Sequence, residues 1–127
     1  MRQAREGDWT ALRAASLDRW FSSGFLEANP DIREGISLRL LENDPDDFLE
    51  CYELLAKSDE HRFEYQNIST PTLILTGVGD QGSTPRMAGR MERVIQNSRA
   101  AIIGNAKHLC IIENHDAISA HINQFLE

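Results

Sequence analysis

Cysteine, long apolar runs and clustered cations are all scarce in this chain of 127 residues. The two cysteines, Cys51 and Cys110, stand far apart, with no C-x-x-C spacing and no secretory apolar segment before them. That argues against a disulfide scaffold and makes a reduced, cytoplasmic setting the default expectation. The longest apolar runs, such as Leu73 to Leu75 and Leu109 to Ile112, span a few residues, whereas a membrane-crossing helix needs roughly 20, so no membrane segment is expected. Lys and Arg number 13 against 20 Asp and Glu, a net charge of −7, and the cations form no run. Phosphate backbones are bound by clustered cations, so nucleic acid is not an expected partner. With 41% hydrophobic and 26% charged residues, composition excludes a disordered or collagen-like chain and suits one ordinary globular domain.

The chain has two unlike segments. Residues 1–64 carry 8 basic and 15 acidic side chains, while residues 65–127 carry 5 of each, so the net charge sits in the first half. Apolar residues in that half recur at helical spacing: Trp9, Leu12, Ser16 and Trp20, then Ile32, Ile36 and Leu40, then Phe48, Cys51, Tyr52 and Leu55. Three amphipathic helices are expected. Gly24 and Asn29-Pro30 mark the first break between them, and Asn43-Asp44-Pro45 marks the second, with Pro45 suited to the first helical position. The division expected is a helical segment over 1–67 and a β-α-β-α segment over 68–127.

In the second segment Thr72 to Gly77 is a short apolar run bounded by Pro71 and Gly77, the pattern of a strand covered on both faces of a parallel sheet. Ser83-Thr84-Pro85 supplies a cap and first turn for a helix whose expected buried stripe is Met87, Met91, Val94 and Ile95. A second strand over 99–103 ends at Gly104, and a last helix places Ile118, Ile122, Phe125 and Leu126 on one face. Strand, helix, strand, helix implies parallel strands joined by a crossover. Two strands do not make an independent sheet, so the pattern reads as part of a larger one, closed by further strands or by self-association, with a two-fold dimer as the simplest closure.

Functional groups in parallel α/β sheets cluster in loops leaving the carboxyl ends of strands. Asp80 lies three residues after Gly77, and His108 lies four after Gly104. If the two strands are neighbours, both loops open on one edge, where a carboxylate can accept an imidazole N–H, fix its tautomer and support the imidazolium. Taken singly, an Asp after a Gly is ordinarily a turn former, and a His beside an apolar run is ordinarily structural. Their paired placement is what points to chemistry. His115 and His121 are six apart on a helix, and His61 lies in a polar connection, so no metal or other cofactor is expected. Asp44, Asp46 and Asp47 lack the Gly and later Glu of a calcium loop and read as a solvated helix start.

These stretches, Pro71-Thr-Leu-Ile-Leu-Thr-Gly77, Gly77-Val-Gly-Asp80 with Ser83-Thr-Pro85, Gly104-Asn-Ala-Lys-His108-Leu and Glu113, resemble the carboxyl-terminal part of the α/β-hydrolase family, most closely its branch of 3-oxoadipate enol-lactonases. Arg19-Trp20-Phe21, the Asp44-Pro45 helix start, Cys51 and Asp59 resemble that branch's helical cap. The resemblance implies a partial α/β-hydrolase fold, a helical cap followed by a β-α-β-α unit. It also implies that Asp80 is the acid and His108 the base of a Ser-Asp-His triad, that Trp20 contacts substrate, and that the substrate is a small ester or lactone. The family's nucleophile, a Ser on a G-x-S-x-G elbow preceding the Asp and His, has no counterpart here. Ser22 and Ser23 precede Gly24 without a glycine two places before. Lys107 replaces the small residue usual before the histidine, and His115 stands where a proline often follows the glutamate.

The expectation is therefore a chain that holds the acid and base and is inactive by itself, completed by a complementing amino-terminal hydrolase fragment. Two other classes fit the same residues. One is a non-catalytic module that uses its open strand edge for self-association or partner binding. The other is a small binding protein with Trp20, Phe21, Phe25 and Tyr52 around an apolar pocket.

Overall fold

A computed structural model describes residues 9–57 and 64–127. Asp59 and His61 fall outside the described residues. In chain order the elements are helices α1 (Trp9–Trp20), α2 (Ser23–Ala28), α3 (Pro30–Leu41) and α4 (Pro45–Ala56), then a single 3-10 turn at Tyr65–Asn67. Strand β1 (Thr72–Gly77), helix α5 (Pro85–Val94), strand β2 (Ser98–Ile103), the one-turn helix α6 (Cys110–Glu113) and helix α7 (His115–Leu126) follow.

The helix starts obey local chemistry. Asp44 accepts the N–H groups of Asp46 and Asp47, with Pro45 at the first position of α4 where a missing N–H costs nothing. Thr84 Oγ1 accepts the Met87 N–H ahead of Pro85 in α5. Where Gly24 suggests only a break, the chain forms α2. Its Phe25 ring stacks on Phe21 at 5.6 Å between centroids, and its preceding corner at Ser22 is bonded to Glu113. Those contacts, one of them 91 residues distant, supply the order that local propensity does not. Phe21 is fully buried and, with Leu17, anchors the helical segment.

Strands β1 and β2 are parallel, in register from Thr72 opposite Ser98 to Gly77 opposite Ile103. Alternation sorts the side chains onto two faces. Ile74 and Ala100 pack with Ala88, Met91 and Ile95 of the α5 region, while Leu75 and Ile103 pack with Ala106, Cys110, Ala117 and Ile118 on the α6–α7 side. The α5 stripe is thus Ala88, Met91 and Ile95, rotated from the expected one: Met87 and Val94 are exposed. Ala88, Met91 and Ile95, spaced i, i+3 and i+7, share one helix face, and the small Ala88 lets α5 approach the sheet closely at its first turn. On α7, Ile118 is buried and Phe125 half-buried while Ile122 and Leu126 are exposed, so the expected apolar face is covered only in part. No described helix is long and apolar enough to cross a membrane.

Candidate functional site

The register of the strands brings their carboxyl ends side by side, and the two loops leaving them are bonded to each other. Val78 donates its N–H to the Ile103 carbonyl at 2.9 Å, and Gly79 donates to the Ala106 carbonyl at 2.9 Å. Asn105 turns the second loop back with φ 53°, a left-handed conformation that asparagine tolerates better than other side-chain-bearing residues. Gly77 lies so close to the returning strand of loop that a Cβ there would sit 2.5 Å from the Ala106 carbonyl oxygen.

On this platform Asp80 and His108 meet. Asp80 Oδ2 lies 2.8 Å from His108 Nδ1, and Asp80 Oδ1 accepts the N–H groups of Gly82 and Ser83, each at 2.8 Å. The Asp80 side chain is buried, whereas the imidazole is 43% exposed. Burial alone would raise the Asp80 carboxyl, but the His108 hydrogen bond and the two backbone donors outweigh it and hold the group below its ordinary value. An ionised carboxylate can only accept, so the proton of the pair resides on His108 Nδ1, leaving Nε2 as the nitrogen for proton transfer.

The pair lines a cavity of about 340 Å³ whose other walls are Arg19 at the end of α1, Tyr52 and Leu55 of α4, and Gly82 and Ser83 of the Asp80 loop. The helical segment therefore roofs the loops. Trp20 is half-buried and is not among these lining residues; its carbonyl instead accepts the Leu109 N–H at 3.0 Å, next to His108 in the chain. Arg19, beside it, is the cavity's cation. Nothing in its spacing marks Arg19 as a site residue, because its placement depends on how α1 docks over loops 60 to 90 residues onward. Of the four aromatics considered as pocket residues, only Tyr52 lines this cavity. Phe21 lines a larger space of about 590 Å³ between α1, α2 and α3 that excludes Asp80 and His108. Among the described residues no three His, Cys, Asp or Glu side chains gather as a metal site.

Known proteins share this fold. The enol-lactonase from Burkholderia xenovorans LB400 superposes with a TM-score of 0.89 over 98% of this chain and 47% of its own, at 27% identity. MGS-M2, an alpha/beta hydrolase enzyme from a Medee basin deep-sea metagenome library, superposes with a TM-score of 0.77 over 98% and 47%, at 24% identity. This is the carboxyl-terminal half of an α/β-hydrolase fold. Within that α/β-hydrolase half, sequence similarity points the same way. 3-Oxoadipate enol-lactonase 2 of Acinetobacter baylyi is 30% identical over 115 residues, 91% of this chain and 42% of that protein. The chain thus spans less than half the length of the relatives it matches. No protein-family model matches it.

Proposed function

We propose that this hydrolase half supplies the acid and base of a Ser-His-Asp system that cleaves a carboxylic ester or lactone, the nucleophile and oxyanion donors coming from outside these 127 residues. The observation that carries the reading is the 2.8 Å Asp80–His108 contact at the ends of neighbouring parallel strands, inside a roofed cavity. His108 Nε2 takes the serine hydroxyl proton as that oxygen bonds to the substrate carbonyl carbon. Asp80, still ionised, supports the resulting imidazolium. Collapse of the tetrahedral intermediate breaks the bond to the leaving oxygen, which receives the proton from His108, and the acyl-enzyme is hydrolysed by water through the same relay. Arg19 suits a substrate that also carries a carboxylate, as an enol-lactone acid does, and offsets locally the acidic balance of the helical segment.

The test is covalent labelling with a fluorophosphonate probe. The chain alone is expected to give no specific adduct, and mixing it with an amino-terminal hydrolase fragment that carries a G-x-S-x-G elbow is expected to give one that His108→Ala abolishes. An adduct on the chain alone that requires His108 would refute the reading, as would a reconstituted adduct indifferent to His108→Ala.

A second reading rests on the sheet. Among the described residues β1 and β2 pair only with each other, and Leu54, Ile111 and Leu126 are 60% or more exposed. A non-catalytic, self-associating module would close its sheet against a second copy. Sedimentation of the isolated chain is expected to show a dimer; a compact monomer across the whole concentration range would remove this reading.

A further inference from the structure

The geometry points to Glu113 as a positioning residue that holds the His108 loop to the corner of the helical cap. Its half-buried carboxylate divides between the two segments. Oε1 accepts from the Ser22 N–H at 2.8 Å and the Ser22 hydroxyl at 2.7 Å, at the corner between α1 and α2. Oε2 accepts the N–H of Lys107, the residue immediately before His108. The residue immediately after His108, Leu109, donates its N–H to the Trp20 carbonyl, and the Lys107 ammonium reaches the Asp18 carbonyl. The peptide on either side of His108 is therefore bonded to residues 18–22, in one case through Glu113.

The imidazole itself is 43% exposed, and among the described residues its hydrogen bond to Asp80 is its polar anchor. With so little packing around the ring, its direction depends on where the backbone at 107–109 stands. All three donors to Glu113 are N–H or O–H groups and both oxygens are engaged, so the site needs acceptors at both ends of the side chain. Glutamine offers one carbonyl oxygen and one NH₂ group. Whichever way its amide turns, one of the two segments meets a donor facing a donor. Glutamine thus cuts the link at nearly constant shape, which separates a linking role from space-filling. While this junction is intact the cap corner and the base loop are held together, and once it breaks the backbone that aims His108 loses its hold.

The functional meaning rests on His108 being the base, but the experiment needs no turnover, so a chain that never labels with a fluorophosphonate still decides it. The readout is the downfield proton resonance of His108 Nδ1 in the full chain, assigned by its loss in Asp80→Asn. In Glu113→Gln, with the fold verified by circular dichroism, solvent exchange of that proton is expected to accelerate about tenfold, as suits loss of one charge-assisted hydrogen bond. Ser22→Ala, which removes only the hydroxyl donor, is expected to give a smaller acceleration that Ser22→Thr reverses. Should Glu113→Gln fail to fold, the two Ser22 variants decide the matter. Exchange rates unchanged by these substitutions, or no protected Nδ1 proton in the unsubstituted chain, would overturn the assignment.

Discussion

Gly77→Ala is expected to destabilise the chain by about 3 kcal/mol or more, within the range for substitutions that force backbone to move. The new Cβ would lie 2.5 Å from the Ala106 carbonyl oxygen and 2.8 Å from its carbonyl carbon, with the Lys107 carbonyl oxygen closer still. These are main-chain atoms of the loop that carries His108, and they are held by the Gly79 N–H bond to Ala106 and by the Lys107 bond to Glu113. No rotamer change relieves the overlap; one loop must leave the other. Gly89→Ala is the control. It sits inside α5 with nothing within 4 Å of the added carbon, and is expected to gain about 0.5 to 1 kcal/mol through reduced freedom of the unfolded chain. Urea denaturation of both variants measures the contrast. Equal stability of Gly77→Ala and the unsubstituted chain would mean that the loops do not meet as described.

Asp80→Asn is expected to cost about 1 to 3 kcal/mol at neutral pH, the range for leaving buried or charge-assisted hydrogen bonds mismatched. The amide oxygen can still accept from Gly82 and Ser83, but its nitrogen is a donor, so His108 gives up its Nδ1 proton for the other tautomer and a charge-assisted bond becomes a neutral one. The effect depends on pH in a definite direction. Burial raises the Asp80 carboxyl and the bonds from His108, Ser83 and Gly82 lower it further than burial raises it, so its folded pKa lies below the unfolded value of 3.8. Stability from such a group is fully present above the unfolded pKa and is lost as pH falls through the folded one. The gap between the two proteins should therefore be present at about pH 5 and should close as pH falls below about 4. A gap that persists well below about pH 4 would show that the carboxyl is held neutral, against the bonding seen here. In an assembled hydrolase the same substitution is expected to lower turnover by about 10⁴-fold, since the wrong imidazole tautomer would face the serine.

Much of the β-α-β-α segment is legible from residue order because its signals are local. Pro71 and Gly77 bound a six-residue strand, Thr84-Pro85 opens a helix, and two strands separated by one helix have to run parallel with their exit loops together. That reasoning alone places Asp80 beside His108. The rotated stripe of α5 escaped it because apolar residues stand on two overlapping faces, Met87 with Val94 and Ala88 with Ile95, both containing Met91, and only contact with the sheet decides between them. The helical segment is less legible for a different reason. Helix α2, the docking of Arg19 over His108 and the two Ser22 bonds to Glu113 all depend on contacts across about 90 residues, and hydrophobic periodicity carries no information on those. For Trp20 the contact with the His108 loop that the structure gives is through its backbone carbonyl, which accepts the Leu109 N–H, and a main-chain bond of that kind carries no residue signal.

The join between cap and base loop also sets the order in which the site can form. Bringing β1 to β2 closes about 26 residues of chain, with a logarithmic entropy cost near 3 kcal/mol, and is repaid along a six-pair ladder and two packed faces. Bringing Trp20 to Leu109 closes 109 − 20 = 89 residues, at about 4 kcal/mol, for a handful of hydrogen bonds. The sheet can therefore stand while the cap lifts, and the cavity over His108 is the part of the molecule that assembles last and opens first. On the hydrolase reading proposed above, a substrate would enter along this line of least cooperativity, where opening breaks the α1–loop junction and leaves every strand pair intact.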